Sequence, residues 1–458
     1  MTEPSADRSR SPEGHYRFAH PVLQALGRSP YGRGDGLMHA LPKPGYNMPQ
    51  LPSERRWAVS HIDFDLLRRY TEIPSAAEQL LSKPEREMYF NLTLKLAPDQ
   101  LLQADSYLVL YNTARGPAKG GLRMAPNVTL EETRDLAERM VWKTALARIP
   151  FGGGKSGIAI SPQGMPRFQK TAVIKEYVHM LALELRNGTY IPAPDMGTNE
   201  TDMAVIFGEL HIPECVTGKP PRVGGLPGRR EATGCGVSHV ALRVLKDVLK
   251  TEPVGASAAA QGFGNVGSHV ALFLYRAGVK VVAASDITGG RADADGLDIP
   301  LLVEHCRREG SLEGAPGKRI SNAELLASKV DVLCPCACEN QITADNARRV
   351  RARAIVEGAN GPTTPEADAI LEERKIPTVP DILANAGGVI ASYVEWRQGK
   401  SGAITEIGET LATVEGRLSI AFEDMLRVAA EKGCSLRTAC QVSAAQELVA
   451  SLRDRDWI

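Results

Sequence analysis

The sequence predicts an α/β fold: an N-terminal α/β domain, a doubly wound α/β domain after it, and C-terminal helices that close the molecule. Three observations carry that prediction. Polar and apolar residues alternate through 87–111, as in YFNLTLKL and SYLVLY, which reads as antiparallel strands. From residue 255, strand-like and helix-like stretches alternate: QGFGNVG, SHVALFLYRAG and VKVVAASD, then VDVLCPC, ARAIVEGAN and IPTVPDIL. That order belongs to a largely parallel sheet covered on both faces. From Val389 the chain reads as helix, over 405–428 and 436–453.

Taken in order, residues 1–55 are rich in Pro, Gly, Ser and Arg and read as an extended or disordered arm. Helical sequence begins near Ile62, and 75–81 reads as a helix with Ser75 as its N-cap. After the strands of 87–111 comes GPAKGGLR, a glycine-rich turn. Residues 130–147 place Leu136, Met140, Val141 and Thr144 at helical spacing, with acids early and Arg148 late. Residues 151–155 read as a second glycine turn before a short strand, GIAI. A helix over 172–186 follows, then 191–195 leads through a loop to another helix. PPRVGGLPG (220–228) reads as a linker, 236–249 as a helix and 255–261 as a strand of small residues. The boundaries are therefore an arm (1–55), a first domain (56–228), a second domain (229–388) and closing helices (389–458).

Composition narrows the function. Lys+Arg and Asp+Glu both number 54 in 458 residues, so the net charge is zero. Phosphate-tracking proteins ordinarily show a basic excess, so nucleic acid is not an expected partner. No run of about 18 apolar residues predicts a membrane span. Residues 1–20 carry Glu3, Asp7 and Glu13 and no apolar stretch, which disfavours secretory and transit signals and points to the cytoplasm. Eight cysteines do not form a disulfide framework. Cys334, Cys336 and Cys338 make a CPCAC cluster, and alternation on a strand would put all three on one face. No second pair follows for zinc, so reduced thiols and no metal site are expected.

Gly262-Phe263-Gly264-Asn265-Val266-Gly267 is a complete GxGxxG between a strand and a helix, and Asp286 ends the next strand 19 residues after Gly267. Glycines permit the tight turn and close backbone approach, and the helix N-terminus favours a pyrophosphate. The acid can accept from a ribose hydroxyl and would repel a 2′-phosphate, which favours NAD over NADP. Ser285, Thr288 and Arg291 are near enough in sequence to accommodate a phosphate. This is a Rossmann-like dinucleotide site.

Lys119 in KGG, Lys143 at a helix end and Lys155 in GGGK form a set. Each alone is ordinarily a solvated lysine. Converging, they would depress one another's pKa, and one could act as a base near neutral pH. GGGKS is not a P-loop, because Ile149 stands where that motif requires glycine. In Pro192-Ala193-Pro194-Asp195 two prolines aim the carboxylate, which is either a proton relay or the cap of the next helix. Asn360 follows a strand, where an open α/β sheet meets its ligand; it is otherwise a turn asparagine.

Several ordered motifs are similar to the glutamate dehydrogenase group of the amino-acid dehydrogenase superfamily: RGPAKGGLR, MVWKTALARIPFGGGKSG, IPAPDMGT, GRREATGCGV, QGFGNVG, ENQIT, EGANGPTTPEAD and PDILANAGGVIASYVEW. The resemblance runs from about Ser75 to the C-terminus. It implies that 56–228 binds substrate and oligomerises, and that 389–458 packs back on it. It implies that Lys119, with Ser392, binds the side-chain carboxylate and Lys143 the α-carboxylate. Lys155 would activate water and Asp195 would move protons. Thr233 and Asn360 would meet the nicotinamide, and Asn265 and Val266 the pyrophosphate turn.

The implied reaction converts glutamate and water to 2-oxoglutarate and ammonium with NAD(P)+, in a homohexamer. Relatives acting on leucine, valine or phenylalanine carry an apolar residue at Lys119, so an apolar substrate is the alternative that Lys119 opposes. A catalytically silent nucleotide-sensing subunit is the other, opposed by Lys155 and Asp195. Ser156 in GGGKSG, Leu226 in GGLPGR, the β-branch-poor GASAAAQ and the CPCAC run depart from the group's usual pattern.

Overall fold

The computed structural model describes residues 62–458; the arm expected over 1–55 lies outside them. The first half is built on a six-stranded mixed sheet: β1 (Arg86–Ala97), β2 (Gln100–Asn112), β3 (Ala118–Lys119), β4 (Leu122–Met124), β5 (Gly152–Ile158) and β6 (Tyr190–Ile191). Its order is β1-β2-β5-β3-β6, with β4 also on β5. β1, β2 and β5 run antiparallel, while β3 and β4 lie parallel to β5.

The residues expected to form a glycine turn, 151–155, are instead mostly central strand. Three glycines in a strand ordinarily weaken it. Here they let backbone approach backbone. A side chain on Gly153 would run into Val141 N and Ala137 O of the helix Leu130–Leu146, and one on Gly154 into Ala118 and Tyr190. The helix therefore seats directly on β5 and holds Lys155 at a fixed height. The helix itself matches its pattern. Thr129 caps it by accepting from Glu132 N (3.1 Å), Glu131 and Glu132 sit in the first turn, and Lys143 in the last.

The second sheet contains β7 (Ser257–Gln261), β8 (Lys280–Asp286), β9 (Gly289–Ala292), β10 (Lys318–Ile320), β11 (Val332–Pro335), β12 (Ala354–Val356) and β13 (Thr378–Val379). The order is β10-β9-β8-β7-β11-β12-β13. β8 through β13 by way of β7 are parallel, and β9 and β10 form an antiparallel edge. β8 pairs with one side of β7 and β11 with the other. The chain reverses its direction of travel there, which opens a crevice at the carboxyl ends of β7 and β11.

Other expectations need correction. Ser75 is the first helical residue of Ser75–Leu81, after Pro74, and makes no cap bond. The helix expected over 172–186 is two, Arg167–Met180 and Ala182–Arg186, interrupted at Leu181. The helix after the linker begins earlier, at Ala232, and ends in a π-turn at Val244–Val248. The cysteine cluster does not share a strand face, because β11 stops at Pro335. Cys334 is buried, Cys336 half-buried and Cys338 exposed.

Among the closing helices, Ile407–Lys432 packs on Ala232–Arg243 and Leu436–Asp454 on Leu130–Leu146. Arg437, in the first turn of the last helix, donates to both oxygens of buried Glu357 (2.7 and 3.3 Å) and to Asp368 (2.9 Å). Glu357 also accepts from Asp381 N at 3.0 Å. Burial pushes the Glu357 carboxyl up, and Arg437 opposes that. Arg437→Met should cost about 3 kcal/mol of stability, because it strands a buried carboxylate. The guanidinium is itself 24% exposed, which keeps the cost at the low end of the roughly 3 to 5 kcal/mol for breaking a buried ion pair. Urea denaturation measures it; an unchanged midpoint would reject the pairing. Among the described residues no helix is long and apolar enough to cross a membrane.

Candidate active site

A cleft of about 170 Å3 lies where the two sheets' loops meet. β3 and β5 form its floor. Their close approach is possible because Gly120 has no side chain to meet the Gly154 carbonyl. Lys119 lies deepest, 1% exposed, and its ammonium makes no hydrogen bond or ion pair among the described residues. Burial holds its pKa well below the ordinary lysine value, and Arg229 depresses it further.

Lys155 is buried on β5, and its ammonium contacts Asp195 Oδ2. Asp195 stands after β6 on the segment that bridges Pro194 to Leu122. Its other oxygen accepts from Arg123 Nε (3.1 Å) and Met196 N (2.8 Å). Burial opposes ionisation, but Lys155 and Arg123 outweigh it and bring the carboxyl down to about 2. Asp195 is not the cap of the following helix. Asn199 is, in a reciprocal box with Asp202.

Lys143 reaches across the cleft. Its Nζ donates to Asn385 Oδ1 (2.7 Å) and Asn360 Oδ1 (3.2 Å), and burial lowers its pKa. Asn385 in turn donates to Asn360 Oδ1 at 2.9 Å. Ser392, 1% exposed on the helix Gly387–Ser401, donates to Gly388 O (3.2 Å) and lines the cleft beside Lys119.

Two cations were not singled out from the sequence. Arg229 lines the cleft, and its side chain makes no hydrogen bond or ion pair among the described residues. Burial lowers its pKa. Glu395, the nearby acid, is committed elsewhere: it accepts from Lys219 Nζ (2.8 Å), Lys219 N (3.2 Å) and Gly218 N (2.8 Å). Arg123 pairs with Asp195 and Glu132. The available signal was an arginine in each glycine motif, GGLR and GRREATG, but nothing in the spacing says which arginine is buried.

The second cavity, about 590 Å3, is the crevice at the ends of β7 and β11. Gly262 has φ +87°, and a side chain there would meet the Ala337 backbone. A side chain on Gly267 would overlap the Gly262 carbonyl. Gly264, at the N-cap of the helix Asn265–Arg276, faces open space. These features fit a dinucleotide pyrophosphate. Gly262, Gly264 and Asp286 line this crevice. Asp286 Oδ1 accepts from Thr288 N (2.8 Å) and Oγ1 (2.6 Å), and Oδ2 from Leu312 N (2.6 Å).

Asn265 and Val266 are not in the crevice lining. Asn265 donates to Arg230 O (3.0 Å) and Val266 packs against the core. Thr233, in the first turn of Ala232–Arg243, faces Gly388 rather than either cavity. Among the described residues no group of three or more His, Cys, Asp or Glu could hold a metal ion.

The same two halves recur in known proteins. Residues 224–455 match the Glutamate/Leucine/Phenylalanine/Valine dehydrogenase family, and 84–211 its dimerisation domain. A glutamate dehydrogenase of Thermotoga maritima is 38% identical over 413 residues, covering 88% of this chain and 99% of its own. An NADP-specific glutamate dehydrogenase of Synechocystis is 39% identical, covering 83% and 92%. The solved hetero-hexameric glutamate dehydrogenase of Thermus thermophilus, in its Leu-bound form, superposes with a TM-score of 0.79 at 32% identity, over 86% of this chain and 95% of that one. With both domain models matched in order, and a relative this similar over nearly its whole length, the chain belongs to the glutamate/leucine/phenylalanine/valine dehydrogenase family of NAD(P)-dependent oxidoreductases.

Proposed function

We propose that the chain is a glutamate dehydrogenase, interconverting L-glutamate and 2-oxoglutarate plus ammonium. One observation carries the reading. Lys119 is a buried cation and Arg229 a half-buried one with its Nε sealed from solvent, and neither has an anion bonded to it among the described residues, beside the Ser392 hydroxyl. A buried unpaired charge is costly. A substrate's distal carboxylate would supply the missing anion, and an isobutyl group would not.

Lys143, with Asn360 and Asn385, would orient the α-carboxylate. That leaves the α-carbon above Lys155 and Asp195. Asp195 is held ionised at neutral pH, chiefly by Lys155. Turning the Lys155 ammonium toward substrate removes the main cause of that depression and makes the carboxylate a better base. Lys155 would then polarise the attacking water and stabilise the carbinolamine, while Asp195 carries protons to and from nitrogen.

The glycine turn of Gly262, Gly264 and Gly267 would hold the pyrophosphate, with Asn265 and Val266 contributing only backbone N–H groups at the helix N-terminus, since their side chains are engaged elsewhere. Asn360 would sit toward the nicotinamide end, with Thr233 packed behind the cleft-lining Gly388. When bound, the dinucleotide accepts the hydride from the substrate α-carbon.

Absorbance at 340 nm, with glutamate or leucine and NAD+ or NADP+, tests the reading. A rise with glutamate is the expected result, and a rise with leucine alone would overturn it. NAD is the preferred cofactor, because the Asp286 carboxylate at the crevice favours a ribose hydroxyl over a phosphate. Arg291, a candidate phosphate partner, donates from Nε to Leu312 O at 3.1 Å. Asp286→Ser should raise KM for NAD+ by about 10- to 100-fold, the worth of a charged hydrogen bond, and KM for NADP+ by much less. Equal changes would reject the placement.

The match of 84–211 to a dimerisation domain and the hexameric assembly of the Thermus thermophilus relative support assembly as a hexamer, here of identical subunits. Light scattering at a single-subunit mass would exclude it. Eight free cysteines are consistent with a reducing, cytoplasmic setting.

A further inference from the structure

Glu395 and Lys219 form a buried ion pair behind the substrate cleft. Glu395 lies on the helix Gly387–Ser401, and Lys219 on the loop that follows Val216. The Lys219 ammonium donates to Glu395 Oε1 (2.8 Å), Pro213 O (2.9 Å) and Val216 O (2.7 Å). Those three bonds use all three of its protons. Glu395 also accepts from Lys219 N (3.2 Å) and Gly218 N (2.8 Å). The loop itself is seated on the segment that carries Asp195. Thr217 N donates to Pro192 O (3.0 Å), and a side chain on Gly218 would meet Pro194.

We propose that Lys219 is a specificity-determining residue: it holds the Glu395 carboxylate away from Lys119 and Arg229, so that both cations stay open to the distal carboxylate of the substrate. The inference rests on the glutamate reading above. Gly388, Ser392 and Glu395 recur at helical spacing and share one face of their helix. An Arg229 guanidinium nitrogen lies 3.4 Å from where a Gly388 side chain would start, and Ser392 lines the cleft with Lys119. Glu395 therefore sits one turn along from the place where a substrate carboxylate would meet these groups.

A buried carboxylate needs a cation. Lys219 is the cation bonded to Glu395, whereas Lys119 and Arg229 bond no anion among the described residues. Burial disfavours the charged forms of Lys119 and Arg229, and Arg229 adds to this at Lys119; Glu395 favours both charged forms. Without the Lys219 ammonium, Glu395 would keep two amide donors and face two unbonded cations. It would turn to them and take, from within the protein, the position of the substrate carboxylate. The pair thus leaves the cleft an acid close by, but not a competing ligand.

Steady-state kinetics of the full chain test this, with Lys219→Met and with the double variant Lys219→Met/Glu395→Gln. Lys219→Met should raise KM for glutamate by at least about tenfold, the low end of what a close buried charge pair contributes, and leave kcat within about threefold. Turnover of norvaline, which keeps the carbon chain without the distal carboxylate, should not fall. The double variant removes the competing carboxylate and should bring KM back to within about threefold of the parent. Lys219→Gln, which keeps a neutral donor in place, should raise KM in the same direction and be reversed by the same second change; it supplies the test if Lys219→Met does not fold. An unchanged KM in both single variants, an equal loss with norvaline, or a double variant as impaired as the single one would each overturn the inference alone. A parent protein that turns over leucine and not glutamate would overturn the glutamate reading, and the inference with it.

Discussion

Lys155→Ala should lower kcat by about 10³-fold while leaving NADH affinity unchanged. The size follows from what a positioned proton-handling and water-polarising group contributes, roughly 10² to 10⁴. The separation of effects follows from geometry. Lys155 lies on β5 in the first half, whereas the glycine turn and Asp286 belong to the second. Removing the ammonium also removes the main cation facing Asp195, leaving Arg123 and the Met196 amide to hold the carboxylate. The carboxyl should therefore rise from about 2, toward the value its burial alone favours. Stopped-flow absorbance gives kcat, and fluorescence titration gives the NADH affinity. Turnover within tenfold of the parent would sink the assignment of Lys155 as the water-activating group, and a matching loss of NADH binding would point to a collapsed fold instead.

The second large effect is expected at Lys119. Lys119→Leu should reduce kcat/KM for glutamate by about 10²- to 10⁴-fold, the equivalent of losing roughly 3 to 5 kcal/mol of buried charge pairing. Arg229 and Ser392 remain, so the lower part of that range is the better estimate. Activity toward leucine should rise, because an apolar wall replaces an ammonium that an isobutyl side chain cannot satisfy.

Stability should move the other way from activity. Lys119 is buried with no protein anion bonded to it among the described residues, and replacing a buried charge with an apolar side chain is commonly neutral or stabilising. An undiminished urea midpoint together with lost glutamate turnover would therefore identify a specificity change and not misfolding. Unchanged glutamate kinetics would remove Lys119 from the substrate pocket, and with it the argument for a dicarboxylate substrate.

The sequence by itself determined the features that depend on local chemistry. Alternation specified the β1–β2 pair, because side chains on a strand face opposite sides with a period of two. The order of strand, GxGxxG, helix and acid specified the dinucleotide crevice, because Gly262 must adopt a positive φ and Gly267 must lie against its carbonyl. The glycine motifs also marked Lys119 and Lys155 as candidates, and the proline-flanked segment Pro192–Asp195 marked Asp195.

Tertiary structure decided whatever depends on partners distant in sequence. Gly152, Gly153 and Gly154 carry a local preference for turns, yet pairing with β2 and β3, with Gly153 pressed against the helix Leu130–Leu146, makes them strand. The three lysines were expected to act as one set, but each meets a different environment. Lys119 lies beside Arg229 without an anion, Lys155 is paired with Asp195, and Lys143 reaches Asn360 and Asn385 across the cleft. Arg229 was invisible in sequence, since nothing local distinguishes a half-buried guanidinium lining a cleft from its exposed neighbour Arg230. The cysteine cluster separates for the same reason: β11 ends at Pro335, so Cys334 joins the core while Cys338 turns into the cofactor crevice. Burial and electrostatics are properties of the packed chain, and short-range spacing does not encode them.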